Sequence, residues 1–285
     1  MFGPTASGKS AVAEILADRL GTEVVSADAL QVYRELPILT NQSTRPTRLV
    51  GIRSVHEEMS VGEYAPLAHD AIDELVSAHG AAVVAGGTGL YLRAALVDLD
   101  VPPPAAHGRR EALEREYDAA PDRAHERLAA LDPQAAGAVH PHDRRRVVRA
   151  LELAEAGRSL TPDGSRLWGE QTRRPSLVVG LELPSDELER RIRARTVSML
   201  ARGVRDEVRR AASKGISRTA QAALGVRELA ELPDGEALER IVVRTRRYAA
   251  YQRKWMRRIP GLVSVDATGS AVEVADAILE VARAR

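Results

Sequence analysis

The 285-residue sequence contains no cysteine. This absence excludes disulfide bonds, thiolate nucleophiles and zinc sites that use cysteine ligands. It agrees with a reducing compartment, and we expect a cytoplasmic protein. Aromatic residues make up only 3% of the chain, so the core must consist mainly of alanine, valine and leucine.

Long apolar runs are also missing. No apolar stretch approaches the roughly 18 residues of a membrane-spanning helix. We expect no signal peptide before the first motif. A net charge of +1 and 28% charged residues are ordinary for a globular chain. We therefore expect a soluble monomer with no membrane partner.

The chain opens on a phosphate-binding pattern. Residues 3–10 read GPTASGKS, fit G-x-x-x-x-G-K-[ST] completely, and precede a run with helical spacing. In such a loop the glycines turn backbone amides toward phosphate, the lysine adds charge, and the hydroxyl ligates Mg²⁺. Only two residues precede the loop, so we expect its supporting strand to be cut short. The predicted diphosphate-binding residues are Gly3, Thr5, Ala6, Ser7, Gly8, Lys9 and Ser10, with Ser10 as the Mg²⁺ ligand.

Short β-rich runs alternate with helical segments along most of the chain. EVVSAD ends at Asp28, AAVVAGGTG enters a glycine turn at residues 86–89, and LVVGLEL covers residues 177–183. This rhythm predicts an α/β fold, a parallel sheet flanked by helices. Since the carboxyl ends of parallel strands share one edge, Asp28 and the glycine turn should lie beside the phosphate loop. A long charged helix is expected from Ser185 to Lys214.

The alternation stops between about residues 105 and 175, where the chain is helical and rich in arginine. We predict a catalytic α/β domain at residues 1–104 and 176–285 with a helical insertion domain at residues 105–175. One basic cluster, Arg144 to Arg149, lies in this insertion. Residues 244–258, RTRRYAAYQRKWMRR, form a second basic segment without any acidic residue, which favours a phosphate-rich partner. Tyr248, Tyr251 and Trp255 share one helical face there, and at least two should anchor the helix in the core.

Five segments, in this order, resemble the tRNA dimethylallyltransferases over nearly the whole chain: GPTASGKS, SADALQVYR (26–34), GGTGLY (86–91), HPHDRRRVVRALEL (140–153) and the segment 244–258. The resemblance implies a P-loop NTPase-like fold with a helical insertion domain. It also implies transfer of a dimethylallyl group from dimethylallyl diphosphate to N6 of the adenosine at position 37, beside the anticodon of tRNA, with Mg²⁺ as cofactor.

The resemblance also implies residue roles. Asp28 is the expected general base, Lys9 stabilises the leaving diphosphate, and Thr88 orients the reacting base. This chain has Ala222 where many family members carry a basic residue, so Arg227 or Arg246 is expected to substitute for it. The predicted tRNA-binding residues are Asp28, Ala29, Leu30, Gln31, Thr88, Arg110, Arg145, Arg146, Arg149, Arg227, Thr245, Arg246, Arg247 and Gln252.

Other functions share parts of this pattern. An adenylate isopentenyltransferase would use the same donor with free AMP or ADP as acceptor. A small-molecule kinase would share the phosphate loop but transfer a phosphoryl group and require an arginine-bearing lid. A non-catalytic RNA-binding module would not depend on Asp28. The helical insertion and the two basic segments favour tRNA over these alternatives.

Overall fold

The chain folds into two units, one inserted into the other. The computed structural model describes residues 1–99, 108–160 and 166–284. The larger unit comprises residues 1–98 and 167–285, and the smaller unit comprises residues 99–166. The predicted boundary at residue 105 lies outside the described residues. Residues 167–175 were predicted to belong to the insertion, but they pack on the larger unit.

The physical reason for that difference is a buried arginine. Arg93, only 1% exposed, donates from Nε to the carbonyl of Leu167 (2.8 Å) and from Nη2 to that of Gly169 (2.7 Å). The amide of Arg173 donates to the carbonyl of Leu96 at 2.8 Å. These bonds attach the segment to the larger unit, because a buried guanidinium needs acceptors that water cannot supply.

The described part of the larger unit contains short strands and longer helices. Its strands are β1 (Val24–Ser26), β2 (Thr47–Arg48), β3 (Val83–Ala85), β4 (Val179–Glu182) and β5 (Val263–Asp266). Its helices are α1 (Lys9–Leu20), α2 (Val61–His79), α3 (Gly89–Leu96), α8 (Ser185–Ala201), α9 (Val204–Ala212), α10 (Arg218–Gln221), α11 (Val226–Glu231), α12 (Asp234–Met256) and α13 (Ala271–Arg283). A short 3-10 turn, Arg166–Trp168, spans the boundary between the two units in the sequence.

The strand pairs are all parallel, as the alternation predicts. β2, β1 and β3 form one sheet in that order, and β4 pairs with β5. Phe2 makes parallel bridges to both Gly86 and Gly180, so the residue before the phosphate loop links the two sheets. This pairing of Phe2 holds the phosphate loop at the sheet edge. Apolar side chains of α1, α8 and α13 pack against these strands in one core.

Local sequence explains two of these helix boundaries. A capping box joins Ser60 and Glu63 at the start of α2, so this helix begins at Val61. The expected single helix from Ser185 to Lys214 is instead α8 and α9. It breaks at Gly203, whose φ of 83° is left-handed and incompatible with a continuing helix.

The described part of the smaller unit is helical, as predicted. Its helices are α4 (Arg109–Ala119), α5 (Pro121–Leu131), α6 (Pro133–Ala138) and α7 (Arg144–Glu155). They enclose their own core around Leu113, Leu128 and Leu151. None of the helices in the described residues is both long and apolar enough to cross a bilayer.

Candidate active site

A cavity of about 580 Å³ opens at the edge of the sheet in the larger unit. The phosphate loop forms one wall, the turns after β1 and β3 form another, and α8 and α12 close the remaining sides. The residues that line it from these elements include Thr5, Ala6, Gly8, Lys9, Ser10, Asp28, Gln31, Gly87, Arg191, Arg195, Thr245, Tyr248 and Gln252. The sequence motifs thus meet in one place, as the rule for parallel sheets predicts.

The phosphate loop has the backbone that its glycines permit. Gly8 (φ 89°) caps α1, and Ala6 also has positive φ (65°). The N-terminus of α1 therefore opens on the cavity with its positive dipole end. Gly3 and Ser7 are buried behind the loop rather than in the cavity wall, and a Cβ at Gly3 would lie 3.1 Å from the Cβ of Leu181. Gly3 therefore permits close packing on β4.

Three cationic side chains lie at this loop, one from the loop itself and two from α8. Lys9 is partly exposed along its length, but its ammonium is enclosed and donates to the carbonyl of Pro4 at 2.7 Å. Burial lowers the pKa of Lys9 to about 8, Asp28 opposes this shift, and Arg195 adds to it. Arg195 donates from Nη1 to Oγ1 of Thr5 at 2.7 Å, and burial lowers its pKa too. Arg191, one turn earlier on α8, also lines the cavity, and its Nε pairs with Glu187 at 2.6 Å. The enclosed positive charges of Lys9 and Arg195 favour a polyanionic ligand.

Asp28 lies in the turn after β1. Its Oδ1 accepts a hydrogen bond from the amide of Leu30 at 3.0 Å, which fixes the carboxylate in an Asx turn. Thr88 caps the start of α3, and its Oγ1 accepts from the amide of Ala29 at 3.2 Å. The two strand-end turns are therefore tied together. Asp28 lines the cavity, whereas Thr88 lies next to the lining residue Gly87.

Gln252 was predicted to bind tRNA, but its side chain is 2% exposed and fully engaged within the protein. Its Oε1 accepts from the amide of Thr5, and its Nε2 donates to the carbonyl of Gly87, both at 2.7 Å. A Cβ at position 87 would clash with Nε2, so glycine is required there. This arrangement disagrees with a direct tRNA contact, because both ends of the amide are occupied.

The amide of Gln31 is also occupied. Its Oε1 accepts from the hydroxyl of Ser26 at 2.8 Å, and its Nε2 donates to the carbonyls of Thr40 and Asn41, each at 3.3 Å. The predicted contact of Gln31 with tRNA would require its side chain to exchange these hydrogen bonds for bonds to the RNA. In this structure Gln31 holds the residue 40–41 loop against the turn after β1.

The arginines predicted to bind tRNA in the smaller unit differ in exposure and in their ion-pair partners. Arg145 is exposed and has no ion-pair partner among the described residues, and Arg146 has a distant one, Asp143, at 3.8 Å. Arg110 and Arg149 instead pair with Glu152, at 3.1 and 3.0 Å, and the side chain of this glutamate is 2% exposed. Arg110 and Arg149 therefore neutralise the buried carboxylate of Glu152.

The basic residues expected to replace a cation at Ala222 do not reach the cavity wall. Arg227 pairs with Glu231 at 3.0 Å, and its side chain is 78% exposed. Arg246 pairs with Glu189 at 2.8 Å on the surface. The expectation that one of them substitutes is therefore wrong in this structure, because Arg191 and Arg195 are the arginines in the wall.

Sequence reasoning missed Arg191 and Arg195, although a signal for Arg195 exists. Leu188, Ile192 and Met199 are buried on one face of α8. Arg195 lies three residues after Ile192 and four before Met199, so helical periodicity places it on the same face. A charge on a buried stripe marks a residue with an unusual partner, which here is the phosphate loop.

Comparison with known proteins agrees with this site. The sequence model of the IPP transferase family matches residues 31–259. A protein of Salinispora tropica named tRNA dimethylallyltransferase is 39% identical, and the match covers 98% of this chain and 90% of that protein. A protein of the same name from Anaeromyxobacter dehalogenans is 40% identical, with 92% of each chain covered.

Solved structures agree as well. The tRNA isopentenylpyrophosphate transferase of Bacillus halodurans is 31% identical with a TM-score of 0.68, covering 98% of this chain and 94% of that one. A eukaryotic dimethylallyltransferase acting on tRNA is 26% identical with a TM-score of 0.76, covering 94% and 73%. These matches confirm the predicted α/β fold and the prediction of a prenyltransferase. The chain belongs to the IPP transferase family.

Proposed function

We propose that the protein transfers a dimethylallyl group from dimethylallyl diphosphate to N6 of the adenosine at position 37 of tRNA. The observation that carries this proposal is that a phosphate loop, two arginines and the Asp28 carboxylate face one cavity. The names of the relatives supply the acceptor class, since each of those described above acts on tRNA.

The cationic wall suits a diphosphate leaving group. As the bond from the allylic carbon to oxygen breaks, negative charge builds on the diphosphate and positive charge on the prenyl carbon. The main barrier to this reaction is the departure of the diphosphate anion. That anion is stabilised by Lys9, Arg195 and the N-terminus of α1. No nucleotide hydrolysis is required.

Asp28 suits the role of general base. The exocyclic amine of adenine gains a bond to carbon and must lose one proton, which the Asp28 carboxylate accepts. Its Oδ1 is fixed by the amide of Leu30, and this leaves Oδ2 for that proton. Tyr248, beside it, stays neutral because burial and the Asp28 charge raise its pKa. The target base must leave the anticodon stack to reach the carboxylate.

The oxygen groups of the cavity fit Mg²⁺. The Ser10 hydroxyl lines the cavity at the phosphate loop, and Mg²⁺ is usually held by few protein oxygens together with substrate phosphates. Within the described residues no cluster of three or more acidic, histidine or cysteine side chains could hold a metal alone. When bound with the donor, Mg²⁺ would supply additional positive charge to the leaving diphosphate.

Mass spectrometry tests this function directly. Unmodified tRNA is incubated with the protein, dimethylallyl diphosphate and Mg²⁺, and its nucleosides are analysed. We expect an adenosine heavier by one dimethylallyl group at position 37. Prenylation of free AMP without prenylation of tRNA would favour an adenylate isopentenyltransferase, and transfer of a labelled phosphoryl group from ATP would favour a kinase.

An Asp28→Asn variant tests the assigned base. The amide keeps an oxygen acceptor for Leu30 but cannot take a proton, so kcat should fall by about 10²- to 10⁴-fold. Affinity for tRNA should stay within about threefold, since asparagine has nearly the same volume and keeps the hydrogen bond from Leu30. Loss of affinity and turnover together would show that Asp28 has a structural role.

A further inference from the structure

Helix α12 has an exposed stripe of aromatic and basic residues beside the cavity. Thr245, Tyr248 and Gln252 line the cavity from one face of this helix. Because a helix turns about 100° per residue, Tyr251 lies between this face and the face of Arg247 and Lys254. The stripe therefore begins at the cavity and continues around the helix to the exposed surface.

Tyr251 is 54% exposed, which is unusual for a residue of its size. Its ring lies 6.4 Å from that of Tyr248, with 26° between the planes. Tyr248 is half-buried, so the pair extends the cavity wall onto the surface. Tyr251 forms no hydrogen bond with any residue in the described ranges, and more than half of its surface is free for a partner.

The neighbouring aromatic residues are already covered. The rings of Trp255 and Trp168 lie 4.9 Å apart, and the guanidinium of Arg258 lies 3.9 Å above the Trp168 ring. A Cβ at Gly89 would clash with Trp255, so that ring is packed against the turn after β3. Tyr251 is therefore the exposed aromatic side chain of this stripe.

Two cations flank the ring without partners. Arg247 and Lys254 are exposed, and neither forms an ion pair within residues 1–99, 108–160 and 166–284. On the same helix, Arg244 pairs with Glu228, and Arg246 with Glu189. A flat exposed ring between two free cations matches single-stranded nucleic acid, which presents base faces between phosphates.

We propose that Tyr251 stacks on an unpaired base of the RNA substrate, next to the adenosine that enters the cavity. Arg247 and Lys254 then bind the phosphates on either side of that base. The inference rests on the proposed function for its RNA partner. It adds a base contact that is independent of charge to an interface otherwise expected to bind phosphates.

The test uses an unmodified anticodon stem-loop RNA that the wild-type protein prenylates. Binding is measured over a range of salt concentrations for Tyr251→Ala, Tyr251→Phe and Arg247→Ala. Val243→Ala, at another exposed position of α12, is the matched control. Tyr251→Ala should weaken binding by about 5- to 150-fold at every salt concentration, while Tyr251→Phe stays near wild type.

Salt dependence separates stacking from charge. Arg247→Ala should reduce the slope of log K against log salt by about one, whereas Tyr251→Ala should leave the slope unchanged. A 2-aminopurine beside the target adenosine should be quenched on binding, and Tyr251→Ala should abolish this quenching. Wild-type affinity in Tyr251→Ala, or equal losses in Tyr251→Ala and Tyr251→Phe, would overturn the inference. If the wild-type protein prenylates no RNA, that result contradicts the proposed function rather than the stacking role of Tyr251.

Discussion

The backbone amide of Thr5 donates to Oε1 of Gln252 at 2.7 Å, which joins the phosphate loop to α12. The other end of the same side chain donates to the carbonyl of Gly87, in the turn that leads to Thr88. One buried amide thus sets the distance between the part of the cavity that binds diphosphate and the turn that holds Thr88.

This relationship predicts the effect of Gln252→Glu. The carboxylate keeps an acceptor for Thr5 but places an oxygen against the Gly87 carbonyl, where the amide donated. We expect kcat to fall by about 10- to 100-fold, since an unmade buried bond costs about 1–3 kcal/mol. RNA affinity should stay within about threefold of wild type.

Gln221→Glu is the control for this variant, because Gln221 is exposed on α10 and its substitution also replaces one amide with a carboxylate. Steady-state prenylation and RNA titration separate the two effects. If Gln252→Glu loses RNA affinity while kcat remains, the residue contacts tRNA as the sequence predicted.

Arg195→Gln should remove a cation that faces the leaving diphosphate. Its Nη1 bond to Thr5 shows that the guanidinium lies at the loop. We expect the single-turnover rate to fall by about 10²- to 10³-fold, as for loss of one stabilising donor. Arg193→Gln, on the exposed side of the same helix and paired with Glu239, is the control. Equal rates in both variants would contradict the assignment.

The lowered pKa of Lys9 predicts a pH dependence of diphosphate binding. The ammonium form binds the anion, so the contribution is present below the free-protein pKa of about 8 and is lost as pH rises through it. Above that pH, affinity for inorganic diphosphate should fall by up to about tenfold per pH unit.

Lys9→Arg is the control for the pH dependence, because arginine stays charged throughout this range. Ionisation of diphosphate itself affects both proteins equally, so calorimetric titrations of the two can be compared directly. A wild-type profile that parallels the Lys9→Arg profile between pH 7 and 9.5, roughly the range around the shifted pKa, would show that Lys9 does not titrate there.

Charge reversal at Arg145 and Arg149 should give different results. Arg145→Glu should weaken RNA binding and lower its salt slope while thermal stability is unchanged, because this side chain has no ion-pair partner among the described residues. Arg149→Glu should destabilise the smaller unit by about 1–3 kcal/mol, since a second carboxylate faces buried Glu152. Arg110 still neutralises part of that charge. Equal melting temperatures for both variants would contradict this distinction.

The order of strands and helices could be predicted from sequence because hydrophobic period and glycine position are local properties. Residues 3–10, Asp28 and residues 86–89 were expected at one sheet edge, and most of them line one cavity. The break at Gly203 was missed, because a single glycine within a helical pattern is often tolerated. Residues 167–175 were assigned to the wrong unit, since buried Arg93, which binds this segment, lies more than seventy residues away in sequence.

The sequence by itself determined the phosphate loop, the α/β class and the family, because these depend on short motifs in a given order. Tertiary structure alone decided which of the many arginines and glutamines serve the site. Arg195 reaches the loop from α8, the Gln252 amide forms its hydrogen bonds within the protein, and Arg227 stays on the surface. The physical reason is that the role of a polar side chain depends on its burial and its partners, which come from distant parts of the chain.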